Sequence, residues 1–339
     1  MAIMTWRRAA ALGATVAGAA AAGVAAQLVA DRHRTERRAR RGEQQPFGSL
    51  HEPTRTVIAT DGVSLSVEVD DPDDDVSADM PTIVFVHGWV LDLNCWHYQR
   101  AALRGRARLV FYDQRSHGRS GRSDTKNCSM GQLGDDLKSV LDEIVPTGPV
   151  ILVGHSMGGM TIMSLADQYA ELVRERVVGV ALLGTSAGHL IGKMAGLKRA
   201  RPVLAVGLAR MSFVVDKTRK VNQYAFTRRL AVAPDAPEKY ADMTDEMISR
   251  VPTHVFWDFY PNFAGLDLYH ALDVLPGDRT VVIGGAKDQL TVIRHSRRLA
   301  DLIEGSGLVV CEDAGHMMML EAHEQVNESM IKLLEHATA

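Results

Sequence analysis

The run Val150-Ile151-Leu152-Val153 leads directly into Gly154-His155-Ser156-Met157-Gly158, and few chain geometries accommodate that succession. An apolar run of this length reads as a buried parallel strand. The residues from Gly159 through Tyr169 read as a helix. Strand and helix are therefore joined by a tight turn with Ser156 at its apex. Such a turn holds its central residue in a strained backbone conformation and needs small neighbours, which Gly154, Gly158 and Gly159 supply. The geometry lifts the serine oxygen clear of the sheet. It also places the Met157 amide at a helix N-terminus, where it can stabilise a developing oxyanion. As a bare pattern G-x-S-x-G recurs by chance, but a glycine-rich connector has no need of serine at its apex.

A nucleophilic serine needs a base, and the base needs an orienting carboxylate. Thr280 through Gly285 reads as another buried strand, with Asp288 in the loop just after it. Leu308-Val309-Val310-Cys311 reads as the next strand, followed by Glu312-Asp313-Ala314-Gly315-His316. Ser156, Asp288 and His316 thus each fall on a loop at the C-terminal end of a strand, the edge where reactive groups gather in an open parallel sheet. For His316 the competing reading is a loop histidine facing solvent. Asp313 competes with Asp288 as the orienting acid. Asp288 is preferred, because a carboxylate three residues from His316 along a tight turn would struggle to reach the far imidazole nitrogen.

Pro81 through Trp89 reads as a strand ending in His87-Gly88. Gly88 lets the backbone turn sharply, so that the Trp89 amide is expected to face the serine as a second oxyanion donor. His87 is expected to hold this loop by a hydrogen bond and is not taken as a second base. The charged loop Asp113 to Ser120, after the strand Arg108 to Tyr112, is expected to brace the loops beneath the site and is assigned no chemistry.

These segments together resemble the α/β-hydrolase family, specifically its small bacterial serine hydrolases and esterases. The matching residues are His87-Gly88-Trp89, the Asp113 to Ser120 loop, Gly154 to Gly159, Gly285 to Asp288, and Ala314-Gly315-His316, over roughly residues 54 to 335. The resemblance implies an α/β fold with a mostly parallel eight-stranded sheet, helices on both faces, an inserted helical cap and no cofactor. It implies the same roles: Ser156 as nucleophile, His316 as base, Asp288 as orienter, and the Trp89 and Met157 amides as the oxyanion hole. Serine at the elbow argues against the haloalkane dehalogenase and epoxide hydrolase branches, which use aspartate there. Esters, thioesters, lactones, carbon–carbon bonds and cofactor-free perhydrolysis all stay open. A carboxylic ester with an apolar acyl or alcohol part is the leading expectation, and a non-catalytic binding protein with the same fold is the alternative from another class.

The composition fits one catalytic domain with appendages. A chain of 339 residues with 46% hydrophobic content can build one large α/β domain and a cap. The formal charge of −3 argues against a nucleic-acid partner. Cys95, Cys128 and Cys311 are widely spaced and form neither a metal pattern nor a disulfide framework.

Residues 1–41 read as an appendage. Ala9 to Ala30 is 22 residues without a charge, 12 of them Ala and 3 Gly, long enough to span a bilayer though weakly hydrophobic. Arg7 and Arg8 precede it, and Arg32, Arg34, Arg37, Arg38, Arg40 and Arg41 follow. The larger basic cluster on the C-terminal side predicts a membrane anchor with the enzyme in the cytoplasm. The alternatives are a cleaved export signal, since Arg7-Arg8 resembles a twin-arginine leader, and an untargeted tail. Residues 42–53 read as a linker, 54–185 and 268–339 as the two parts of the core, and 186–267 as the cap. The acidic run Asp70 to Asp75 reads as a solvated loop in preference to a cation site. Between Ser186 and Ala233 ten basic residues face a lone acid, Asp216. That excess suits either a solvated cap exterior or a surface lying on anionic lipid.

Overall fold

The apolar runs become the strands of one sheet. They are β1 (Arg55–Ile58), β2 (Ser64–Asp70), β3 (Thr82–Val86), β4 (Leu109–Tyr112), β5 (Val150–His155), β6 (Val177–Leu183), β7 (Thr280–Gly285) and β8 (Gly307–Cys311). Their order across the sheet is β1-β2-β4-β3-β5-β6-β7-β8. The β1–β2 and β2–β4 pairs are antiparallel and the remaining pairs parallel. The structure, a computed structural model of the chain, describes residues 44–77, 79–190 and 223–338.

Alternation along each central strand divides the core in two. On β5, Val150 and Leu152 enter one hydrophobic cluster while Ile151 and Val153 enter the other. Helices α1 (His97–Leu103), α2 (Met130–Ile144) and α3 (Met157–Gln168) follow β3, β4 and β5, and α4 (Ala170–Arg176) precedes β6. Of these, α2 and α3 pack on the first face through residues such as Leu133, Leu137, Met160 and Met163. Leu133 and Leu137 lie four apart on one side of α2 and are both fully buried, so truncating either is worth about 2–5 kcal/mol. The Ser129 side chain starts α2 by accepting from the Gln132 amide at 3.1 Å. The opposite face is covered by α1 and the C-terminal helix α9, which enters this second cluster through Val326, Met330 and Leu334.

The cap inserts after β6. Gly188 bridges Asp267 in antiparallel fashion, and the Leu268 amide donates to the Ala187 carbonyl at 2.7 Å, so the chain leaves and re-enters the core at one point. Between them stand α5 (Glu238–Arg250) and α6 (Thr253–Ala264). After the cap come α7 (Arg294–Leu302) following β7, then α8 (Met318–Glu321) and α9 (His323–Thr338) following β8. The basic residues counted in the cap lie outside the described residues except Arg228 and Arg229, as does the expected anchor at 1–41. Among the described residues no helix is long and apolar enough to cross a membrane.

Two local expectations change. Asp70, first of the acidic run, is not solvated: it is buried and takes the Arg100 guanidinium, which also reaches Glu68 at 2.6 Å. A buried carboxylate requires such a partner, and Arg100 on α1 supplies it across the sheet edge. Residues 50–52, within the expected linker, lie against the core. Leu50 is buried, and His51 Nδ1 and the Glu52 amide reach the Glu68 carboxylate at 2.9 and 3.1 Å.

Candidate active site

The turn after β5 has the predicted form. Ser156 lies at φ 51°, ψ −115°, a conformation that L-residues adopt only under constraint. Hydrogen bonds supply that constraint: its amide donates to the Leu183 carbonyl at 2.8 Å, and its carbonyl accepts from Thr185 Oγ1 at 2.7 Å. The helix begins at Met157, two residues earlier than the sequence suggests, so Ser156 sits directly at its N-terminus. Gly158 permits this approach, because a Cβ there would overlap the Val86 carbonyl at the end of β3.

The loops after β7 and β8 meet beside it. They touch because Gly285 carries no Cβ, which would otherwise overlap the Gly315 carbonyl. His316 Nδ1 lies 2.8 Å from Asp288 Oδ2. The other carboxylate oxygen of Asp288 accepts from the amides of Leu290 at 2.7 Å and Thr291 at 2.9 Å, which fixes its orientation. Asp313 is elsewhere: its side chain is 95% exposed and pairs with Lys287 at 3.0 Å.

Thr291 escaped the sequence reading. Its Oγ1 lies 2.6 Å from the Gly184 carbonyl, 2.8 Å from Asp288 Oδ2 and 3.1 Å from His316 Nδ1. A hydroxyl three residues after a loop aspartate was the available signal, since Asp commonly accepts from amides two and three residues on. His155 was also missed. Its Nε2 donates to the His316 carbonyl at 2.9 Å, and burial holds its imidazole well below the usual histidine range, hence neutral.

Trp89 and Met157 follow the neighbouring strands β3 and β5, one in the turn after β3 and the other at the first residue of α3. Neither amide donates to another group among the described residues. The Trp89 loop is held by His87, whose Nδ1 donates to the Gly88 carbonyl at 2.7 Å and whose Nε2 accepts from the Gln114 amide at 2.9 Å. Burial lowers the His87 pKa to about 4, so it braces the loop as a neutral ring. The Asp113 carboxylate accepts from the Leu93 and Arg119 amides, each at 2.9 Å, tying the following loop to the same region.

Ser156, His155, His316 and Thr291 line one cavity whose remaining wall is mostly apolar, with Thr244, Tyr260 and Gln289 as its other polar side chains. The Trp89 ring packs on Phe256 of α6, centroids 4.1 Å apart, and edge-on to Phe263 at 5.0 Å. Among the described residues no Lys, Arg, Asp or Glu lines this cavity. Nor do they contain a group of three or more His, Cys, Asp or Glu placed to hold a metal ion. A hydroxyl at a helix N-terminus, an imidazole oriented by a carboxylate, and two amides without acceptors can together accept an electrophilic carbonyl and shuttle its protons.

Residues 83–329 match the model of the alpha/beta hydrolase family, and the chain belongs to that family. A dihydrolipoyllysine-residue acetyltransferase component of the acetoin cleaving system of Pseudomonas putida is 26% identical over 271 residues, covering 74% of this chain and 63% of that protein. The 3-oxoadipate enol-lactonase 1 of Acinetobacter baylyi is 27% identical over 264 residues, 78% of this chain and 90% of that one. Among solved structures, a thermophilic esterase from Thermogutta terrifontis superposes with a TM-score of 0.67 at 22% identity, over 85% of this chain and 100% of the esterase.

Proposed function

We propose that this protein is a serine hydrolase that cleaves a carboxylic ester with an apolar acyl or alcohol part through an acyl-enzyme. The observation that carries the reading is the 2.8 Å Asp288–His316 hydrogen bond at the wall of a mostly apolar cavity that Ser156 also lines from its strained turn. His316 takes the Ser156 proton as the oxygen attacks the carbonyl carbon. The Met157 and Trp89 amides stabilise the oxyanion, and the proton passes to the leaving alcohol. Water, deprotonated by His316, then releases the acid and restores the serine. Asp288 keeps the imidazole in the tautomer that presents Nε2 to the serine.

A fluorophosphonate probe tests the nucleophile, and p-nitrophenyl esters of increasing acyl length test the substrate class. Labelling of the full chain and none of Ser156→Ala is expected; absence of both labelling and ester turnover would return the protein to the non-catalytic reading. A cyclic ester is the second substrate reading, favoured by the enol-lactonase match across 90% of that relative.

The uncharged stretch Ala9 to Ala30 between arginine clusters supports membrane anchoring with a cytoplasmic catalytic domain. Full-length protein should sediment with membranes through a high-salt wash, and removal of residues 1–41 should release an active enzyme. A shortened chain in the medium or periplasm would replace the anchor with an export signal. For the basic cap, stronger binding of the truncated enzyme to anionic than to neutral vesicles, weakened by salt, is the corresponding test. Arg228 is already engaged, donating to the Ala233, Pro234 and Ala236 carbonyls.

A further inference from the structure

His316 is held from below by Asp288, but what holds its backbone comes from the cap. The amides of His316 and Met317 both donate to the Ala231 carbonyl, at 2.9 and 3.2 Å. Ala231 ends the helical turn Thr227–Ala231 within the cap. The neighbouring amides converge on one side chain. Glu321 Oε2 accepts from Ala233 at 2.7 Å and from Gly315 at 3.0 Å, while Oε1 accepts from Met317 at 3.1 Å. One carboxylate thus grips the residue before His316, the residue after it and the cap segment beside them. Arg228 holds the same cap segment through the Ala233 carbonyl at 2.8 Å.

We propose that Glu321 is a positioning residue for His316, fastening both flanks of the histidine to the cap segment Ala231–Ala233 so that the cap forms part of the seat of the catalytic base. The proposal rests on the reading of His316 as that base. The backbone bonds to Ala231 cannot be removed by side-chain replacement, which leaves Glu321 as the handle on this junction. Its carboxylate has three donors and no Lys or Arg among them, so its contribution is directional: it fixes where amides point. Burial pushes the Glu321 carboxyl above the usual range, and the three N–H groups are what oppose that push. A second tie between cap and loop, Lys287 bridging Asp235 at 2.8 Å and Asp313 at 3.0 Å, lies at the surface and serves as the internal control.

The test compares full-length wild type with Glu321→Gln, Glu321→Asp and Lys287→Met. Gln keeps the size but turns one acceptor into an NH₂ donor facing amide donors, whereas Asp keeps the charge on a shorter arm. Glu321→Gln is expected to lower kcat on a soluble p-nitrophenyl ester about 10- to 100-fold with KM within about threefold, since misplacing the base affects the chemical step and not ground-state binding. Glu321→Asp should recover part of kcat, and Lys287→Met should stay within about twofold of wild type. The second readout is the downfield proton NMR signal of the His316–Asp288 hydrogen bond, assigned by its loss in Asp288→Asn; Glu321→Gln should shift or broaden it. A kcat within about twofold of wild type together with an unmoved signal overturns the proposal. Should the Gln variant not fold, the same two measurements on Glu321→Asp decide it in the same way. If wild type turns over no ester and takes no fluorophosphonate, the functional reading fails, while the NMR signal still decides whether Glu321 places the imidazole.

Discussion

His155 Nε2 donates to the backbone carbonyl of His316 across 2.9 Å, and the two imidazole rings lie 4.7 Å apart. The residue immediately before the elbow serine therefore holds the backbone of the histidine proposed to activate that serine. Because burial keeps His155 neutral, Nε2 carries the proton that the carbonyl requires, leaving Nδ1 without one. The end of β5 and the loop after β8, 161 residues apart in the chain, are thus fastened by one proton at the point where their relative position matters most.

The acid assignment is tested by two asparagines. Asp288→Asn should lower kcat about 10²- to 10⁴-fold with the fold intact, because the imidazole loses the partner that sets its tautomer. Asp313→Asn should change kcat less than about twofold, as its 95% exposed carboxylate meets Lys287 and no part of the imidazole. Steady-state kinetics with one soluble ester checks both, and the reverse pattern would move the acid to Asp313.

Gly158→Ala should fail at the level of folding. The added methyl would overlap a backbone carbonyl, that of Val86, which cannot swing aside as a side chain can. A loss of about 3 kcal/mol is expected, read as a fall in the urea midpoint or as insoluble expression. Unchanged stability would mean that α3 and β3 do not approach this closely.

Stability should fall as the solution is acidified through the histidine range. Burial holds His87 at about 4 and His117 at about 3, and puts His155 well below its ordinary value. Free in the unfolded chain, each would bind a proton near pH 6.5, so the unfolded state takes up more protons as pH drops from about 6.5 toward 4. Asp113 works the other way. Burial, with Asp92 nearby, lifts it to about 7, so in this window the folded state gains a proton that the unfolded state lacks. Burial also raises the Asp136 and Glu321 carboxyls, which act with Asp113, and lowers His295, which acts with the other histidines, so four imidazoles stand against three carboxyls and the net is a loss with falling pH. Urea midpoints at a series of pH values measure it, and His117→Asn should flatten the slope.

The aromatic wall should select the acyl group. Phe256→Ala removes the ring packed on Trp89 and should raise KM for an octanoate ester about tenfold, the worth of one buried aromatic face. Acetate, too short to use that wall, should be affected far less. An equal rise for both would place the acyl chain away from α6.

Much of the scaffold could be read from local pattern. Val150 to Val153 and Thr280 to Ile283 are strands because contiguous apolar residues are stable only when both faces are covered, a condition readable without knowledge of the partner strand. Helix ends were read less well: α3 starts at Met157 because the elbow itself provides the N-terminal turn, a tertiary constraint that propensity does not register. Leu50 to Glu52 resembled a linker since Gly and Pro surround them, yet the buried Glu68 carboxylate drew that segment onto the core.

The site divides along the same line. The strained turn at Ser156 was legible because it is encoded within five consecutive residues. That a histidine and a carboxylate would follow on later strand ends was also legible, since a parallel sheet delivers its loops to one edge. Which carboxylate meets the imidazole rested on the packing of β7 against β8, which brings Gly285 onto Gly315 and turns Asp313 outward to Lys287. Thr291, His155 and Glu321 entered the site by the same route. Each acts through a hydrogen bond to a group whose direction is set by distant segments of the chain, and direction is a property of the folded molecule that no residue carries in its own identity.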